Sequence, residues 1–175
     1  MSFRYVLLSI LLITSPLSLA QIGSPYDEGI GQAKPNIYRD LEPLDRSHSI
    51  NQRTDVKRLF LDLGHNLKGD ERDIPVMQRL LDLRRIQRDD IATQQALGLV
   101  LGDIIAKRLD MKWMIVEDKI GRSRALRYRK TDIIVFPITM ISRRYKTGLR
   151  VDIQNLYDKT IANNEKRIAF ENRGF

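Results

Sequence analysis

Residues 91–118 read IATQQALGLVLGDIIAKRLDMKWMIVED, and within this stretch the spacing of apolar side chains changes from helical to extended. Ile91, Ala92, Ala96, Leu97, Val100, Leu101, Ile104, Ile105 and Leu109 recur at three- and four-residue steps, the period of an α-helix. Asp89-Asp90 stand where an N-cap belongs. A stripe this broad predicts a central, largely buried helix from Ile91 to Leu109. After Lys112 the period becomes two, and Trp113-Met114-Ile115-Val116 reads as a strand closed by Glu117-Asp118.

Gly98, Gly102 and Ala106 fall four apart on one ridge of this helix. A helix-interior glycine costs about 1 kcal/mol against alanine, so close approach of a neighbouring element is expected to offset it. The same spacing serves membrane helix pairs, but Asp103 and Lys107 argue against a lipid setting.

Downstream, Lys119-Ile120-Gly121-Arg122 reads as a turn, and Ala125 to Tyr128 as a second strand. Lys130-Thr131-Asp132 then leads to a third strand, Ile133 to Phe136, whose uniformly apolar run suits a central position. Pro137 opens a short helix through Tyr145, and Asp152 caps a long amphipathic one through about Arg167. Upstream, Thr54 is the expected cap of a helix carrying Val56, Leu59, Phe60, Leu63 and Leu67 on one face, with Gly69 as its stop. Asp73 and Pro75 mark the start of another, with Met77, Leu80 and Leu81 inward. The expected fold is α+β: helices packed on a small, mainly antiparallel three-stranded sheet, in one domain over residues 51–175.

Residues 21–50 combine Gly23, Gly29, Gly31, Pro25, Pro35 and Pro43 with few large apolar side chains, the composition of a flexible arm. Residues 1–20 have the parts of a secretory signal. Arg4 supplies the positive start, Tyr5 to Ile13 the apolar core, and Ser18-Leu19-Ala20 the small residues before a cut at Gln21. That core is well short of the roughly 20 residues needed to span hydrocarbon, so no transmembrane segment is expected after cleavage. The expected location is periplasmic or secreted.

Three segments together resemble a bacterial family catalogued as domain of unknown function 3806. They are Gln95-Ala96-Leu97-Gly98-Leu99-Val100-Leu101-Gly102, Trp113-Met114-Ile115-Val116-Glu117-Asp118, and Val135-Phe136-Pro137-Ile138-Thr139-Met140-Ile141-Ser142-Arg143-Arg144. The resemblance covers about residues 91–162. It implies a compact α+β domain and brings no assigned activity.

The chain of 175 residues has a net charge of +8 and no cysteine. Lacking thiols, it has no cysteine nucleophile, thiolate zinc site or cysteine-borne lipid anchor, and its core alone must hold it together. The excess charge is local. Residues 121–150 hold nine basic side chains against Asp132 alone, whereas the rest of the mature chain has 20 basic and 21 acidic residues. Such a block focuses a field that attracts anions. Arg122, Arg124, Arg127, Arg129, Arg143 and Arg144 are therefore the candidate binding residues, since guanidinium groups match carboxylate and phosphate in a planar, bidentate way. Along a strand Arg127 and Arg129 share a face with Ala125, while Arg122 and Arg124 share the other with Leu126 and Tyr128.

Catalytic signals are weak. His48 and His65 lack metal-ligand spacing, and neither a nucleophile elbow nor a phosphate-cradling glycine loop is present. Glu117 and Asp118 point to opposite strand faces, and Asp103 is the better candidate for a buried acid. No cofactor is implied. The favoured reading is a non-catalytic binding module for an anionic envelope component or an acidic protein. An envelope hydrolase using a buried carboxylate and an immunity-like protein are the alternatives. Nucleic acid fits the charge but not the exported location.

Overall fold

The computed structural model describes residues 36–119 and 121–173; the expected signal and the first part of the expected arm lie outside them. The chain runs through β1 (Ile37–Arg39), α1 (Pro43–Asp62), a 3₁₀ turn (Glu71–Asp73), α2 (Ile74–Asp82), α3 (Ile91–Leu109), β2 (Met111–Glu117), β3 (Arg122–Tyr128), β4 (Ile134–Val135), α4 (Ile138–Tyr145) and α5 (Ile153–Glu171). The described residues pack as one unit. No helix among the described residues is long and apolar enough to cross a membrane.

Helix α3 is the centre. The Asp90 side chain accepts a hydrogen bond from the Thr93 amide at 3.0 Å, satisfying a donor that the first turn leaves free. Leu97, Leu101 and Ile105 are fully buried. At the other end Asp110 adopts φ 52°, which turns the chain directly into β2. The expected close approach at the glycines is present. A Cβ on Gly98 would stand 2.4 Å from the Ile138 carbonyl oxygen, and one on Gly102 would stand 2.5 Å from the Trp113 ring. Helix α4 and the tryptophan occupy the space that the missing side chains release.

The sheet has the order β1-β2-β3-β4, antiparallel throughout. Its class is as expected, but it has four strands rather than three. The additional strand lies in the stretch expected to be an arm: residues 37–50 supply β1 and the first turns of α1. Pairing of β1 with β2 gives hydrogen-bond partners to an edge that would otherwise be open. Helix α1 begins at Pro43, well before Thr54. It has Pro43 in its first turn and a reciprocal capping box between Glu42 and Asp45.

Asp73 takes the expected N-cap position of α2, but its side chain makes no capping hydrogen bond. Its buried carboxylate accepts from the amides of Lys68 and Gly69, at 3.0 Å and 2.6 Å. It ties down the loop entering α2 rather than capping that helix.

Register places Met111, Trp113, Ile115 and Glu117 opposite Tyr128, Leu126, Arg124 and Arg122. Pleating puts these residues on one face. The interior half of that face, with Leu126, Tyr128 and Met111, joins the core around α3, while its outer end carries the two arginines and Glu117.

Candidate functional site

Strand alternation separates the basic residues of β3. Arg122 and Arg124 lie on the face that meets α1. The Arg122 guanidinium donates to both carboxylate oxygens of Asp45, at 2.9 Å and 2.6 Å, with Glu42 at 3.7 Å. These bonds hold the Asp45 carboxyl below its ordinary pKa. Arg124 donates to Ser49 Oγ at 2.7 Å and Gln52 Oε1 at 2.9 Å, both on buried residues of α1. Burial pushes its guanidinium pKa below the ordinary value.

Arg127 is on the opposite face. It lies 3.4 Å from the centre of the Tyr38 ring, and its Nε donates to the Thr131 carbonyl at 2.6 Å. Tyr38 is itself anchored, donating to Asp132 Oδ1 at 2.7 Å. Arg129 follows the strand at φ 48°, with its guanidinium 4.9 Å from the Tyr128 ring centre.

Arg143 and Arg144 come together on the last turn of α4, and there they are joined by a residue that sequence reasoning missed. Arg167 of α5 lines the same groove of about 400 Å³, together with Thr139, Asn163 and Phe136. Arg144 donates to the Met140 carbonyl at 2.7 Å, within its own helix. Arg167 donates to Asn164 Oδ1 at 3.3 Å and to the Asp132 carbonyl at 3.2 Å. Among the described residues no acid lines this groove. Three guanidinium groups with hydroxyl and amide neighbours can receive a phosphate or carboxylate group there. Arg167 also borders an adjacent groove of about 560 Å³, with Lys130, Lys166 and Phe170, where Asp132 and Glu171 supply negative charge.

Asp103 is arranged differently from a catalytic acid. Its Oδ2 accepts from Arg53 Nε at 2.6 Å, and its Oδ1 from Arg53 Nη2 at 2.7 Å and Trp113 Nε1 at 2.9 Å. The carboxylate raises the Arg53 pKa, chiefly through these hydrogen bonds. Both oxygens are occupied in joining α1, α3 and β2. Glu117 pairs with Arg39 at 3.0 Å. Among the described residues no group of three or more His, Asp or Glu side chains is placed to hold a metal ion.

A family profile described as "Domain of unknown function (DUF3806)" matches residues 73–157. Residues 73–157 belong to the DUF3806 family. The match starts earlier than the resemblance suggested, at Asp73, and stops at Tyr157 within α5. The DUF3806 domain thus includes α3, the β2–β4 meander and α4 with Arg143 and Arg144, whereas Arg167 lies beyond the matched stretch. A crystal structure from Bacteroides thetaiotaomicron VPI-5482 is similar to this chain, with a TM-score of 0.65 and 18% identity. The similarity covers 75% of this chain and 49% of that one, so this chain spans about half of its length. At that identity the likeness concerns the fold. No curated protein matches the chain.

Proposed function

We propose that this chain is an exported, non-catalytic interaction module that binds an anionic partner through the groove between α4 and α5. One observation carries the reading: Arg143, Arg144 and Arg167 line one concave surface of about 400 Å³ that has no acid in its lining among the described residues. Arginine clusters of this kind are suited to carboxylate and phosphate recognition.

Arg122 is paired with the Asp45 carboxylate, Arg124 is held on the buried Ser49 and Gln52, and Arg127 is stacked on Tyr38, whereas Arg144 and Arg167 bond to uncharged oxygens. The proposal therefore moves the binding role toward the α4–α5 side of the basic block. Export is supported by Arg4, the short apolar core and Ser18-Leu19-Ala20. It favours an anionic envelope component or an acidic protein over nucleic acid as the partner.

The test is a titration of the purified protein with soluble inorganic polyphosphate and with polyglutamate. Binding at low ionic strength should weaken roughly tenfold or more as salt rises several-fold, because screening acts on exposed charges. Alanine at Arg143, Arg144 and Arg167 together should abolish it. Alanine at Arg58, an exposed arginine on α1 away from the groove, should change it less than about twofold. Absence of binding, or equal loss with Arg58→Ala, would refute the proposal.

A further inference from the structure

The grooved side of α5 carries an apolar feature that charge recognition leaves unexplained. Phe170, in the last turn of α5, is 77% exposed, the most exposed aromatic side chain among the large hydrophobics of the described residues. It sits in the wider groove beside Lys130, Lys166 and Arg167. The neighbouring groove has a second partly exposed ring, Phe136, at 37%. Arg167 borders both. One continuous side of the molecule thus combines five basic residues with two aromatic rings. The wider groove also holds two carboxylates, the exposed Asp132, which accepts from Tyr38, and the half-buried Glu171, so the five cations outnumber the acids on this side.

We propose that this side docks on an anionic lipid surface, with Phe170 entering the headgroup layer and the basic side chains meeting lipid phosphates. The inference rests on the reading of the α4–α5 groove as an anion-binding site and gives that site its partner. A soluble polyanion satisfies guanidinium and ammonium groups but offers no apolar phase to a protruding phenyl ring. A bilayer offers both within a few ångströms of depth, which is the combination that interfacial basic and aromatic faces use. Docking of this kind is peripheral and needs no membrane-crossing helix.

The experiment is co-sedimentation of the purified protein with vesicles of phosphatidylcholine alone and of phosphatidylcholine mixed with phosphatidylglycerol, with soluble polyphosphate binding measured in parallel. Binding is expected on the mixed vesicles only. Each of Lys166→Ala and Arg167→Ala should lower the partition coefficient about fivefold. Phe170→Ala should lower it roughly tenfold while leaving polyphosphate binding and the thermal midpoint unchanged. Phe170→Trp should bind like the parent, and its emission should shift to the blue on mixed vesicles. Equal binding to both vesicle types, or full binding by Phe170→Ala, overturns the inference. If polyphosphate binds and mixed vesicles do not, the lipid partner is wrong and the groove reading stands. If neither binds, both fall.

Discussion

Asp103 is the residue whose role the sequence most easily misassigns. An acid in the middle of an apolar helix invites a catalytic reading, yet its carboxylate accepts three hydrogen bonds from Arg53 and Trp113. Hydrogen bonds to charged groups contribute about 1.5–3 kcal/mol each in mutational series, and an unpaired ion left partly buried is costly. Asp103→Asn removes the charge that Arg53 faces while keeping the shape. It should lower unfolding free energy by about 1–3 kcal/mol in a denaturant titration. Arg53→Ala combined with Asp103→Ala should cost less than the sum of the two single changes, because the pair is removed as a unit. Strict additivity would show that the two groups act independently.

Helix α3 shows at the element scale which parts of the fold were legible. The four-residue spacing of Gly98 and Gly102 announced a close neighbour, and α4 and Trp113 are that neighbour. Gly98→Ala should gain about 1 kcal/mol of helix propensity. It must also fit a Cβ 2.4 Å from the Ile138 carbonyl oxygen, backbone that cannot swing away. Overpacking of this kind costs about 1–3 kcal/mol or more, so the variant should melt below the parent. Gly102→Ala should cost less, since its obstacle is a side chain, although moving Trp113 strains the bond to Asp103. A thermal midpoint for Gly98→Ala at or above the parent's would contradict this packing account.

The elements with a local period, α3, α4 and the β2–β3 hairpin, were readable because their own side chains define the buried face. Strand β1 was not. Its three residues have no alternation to speak of, and they are fixed by groups distant in sequence: β2 by pairing, Arg127 and Asp132 through Tyr38. The start of α1 has no apolar inward face, since Leu44 and Ile50 are exposed and Ser49 and Gln52 are buried, although Pro43 and the Glu42/Asp45 pair were available as a cap signal. At the candidate site, alternation along β3 already separated Arg122 and Arg124 from Arg127. The convergence of Arg167 with Arg143 and Arg144 is tertiary and leaves no trace in local spacing.

At the scale of the whole molecule, the excess of positive charge is set against a few carboxylates that hold separate parts together. Asp45 joins the start of α1 to β3 through Arg122, and Asp70 holds Arg72 at the 3₁₀ turn before α2. The arginine beside each lowers its pKa, Asp70 to about 2. A carboxylate with a depressed folded pKa contributes stability that is fully present above its unfolded value, near 3.9, and is lost as pH falls through the folded value. Stability should therefore be level with respect to these two groups from neutral pH down to about 4 and decline between about pH 4 and 2. Protonation of acids on a chain already carrying +8 adds self-repulsion in the same direction. Urea titrations at successive pH values test the linkage. Asp45→Asn should be less stable than the parent at pH 7, and the gap should narrow as the parent's carboxylate takes up its own proton. Hydrogen exchange at pH 3 should open the first turns of α1 before the centre of α3, because Asp45 holds the former while the latter rests on apolar burial. A gap that stays constant from pH 7 to 2 would mean that the Asp45–Arg122 contact contributes nothing to folding.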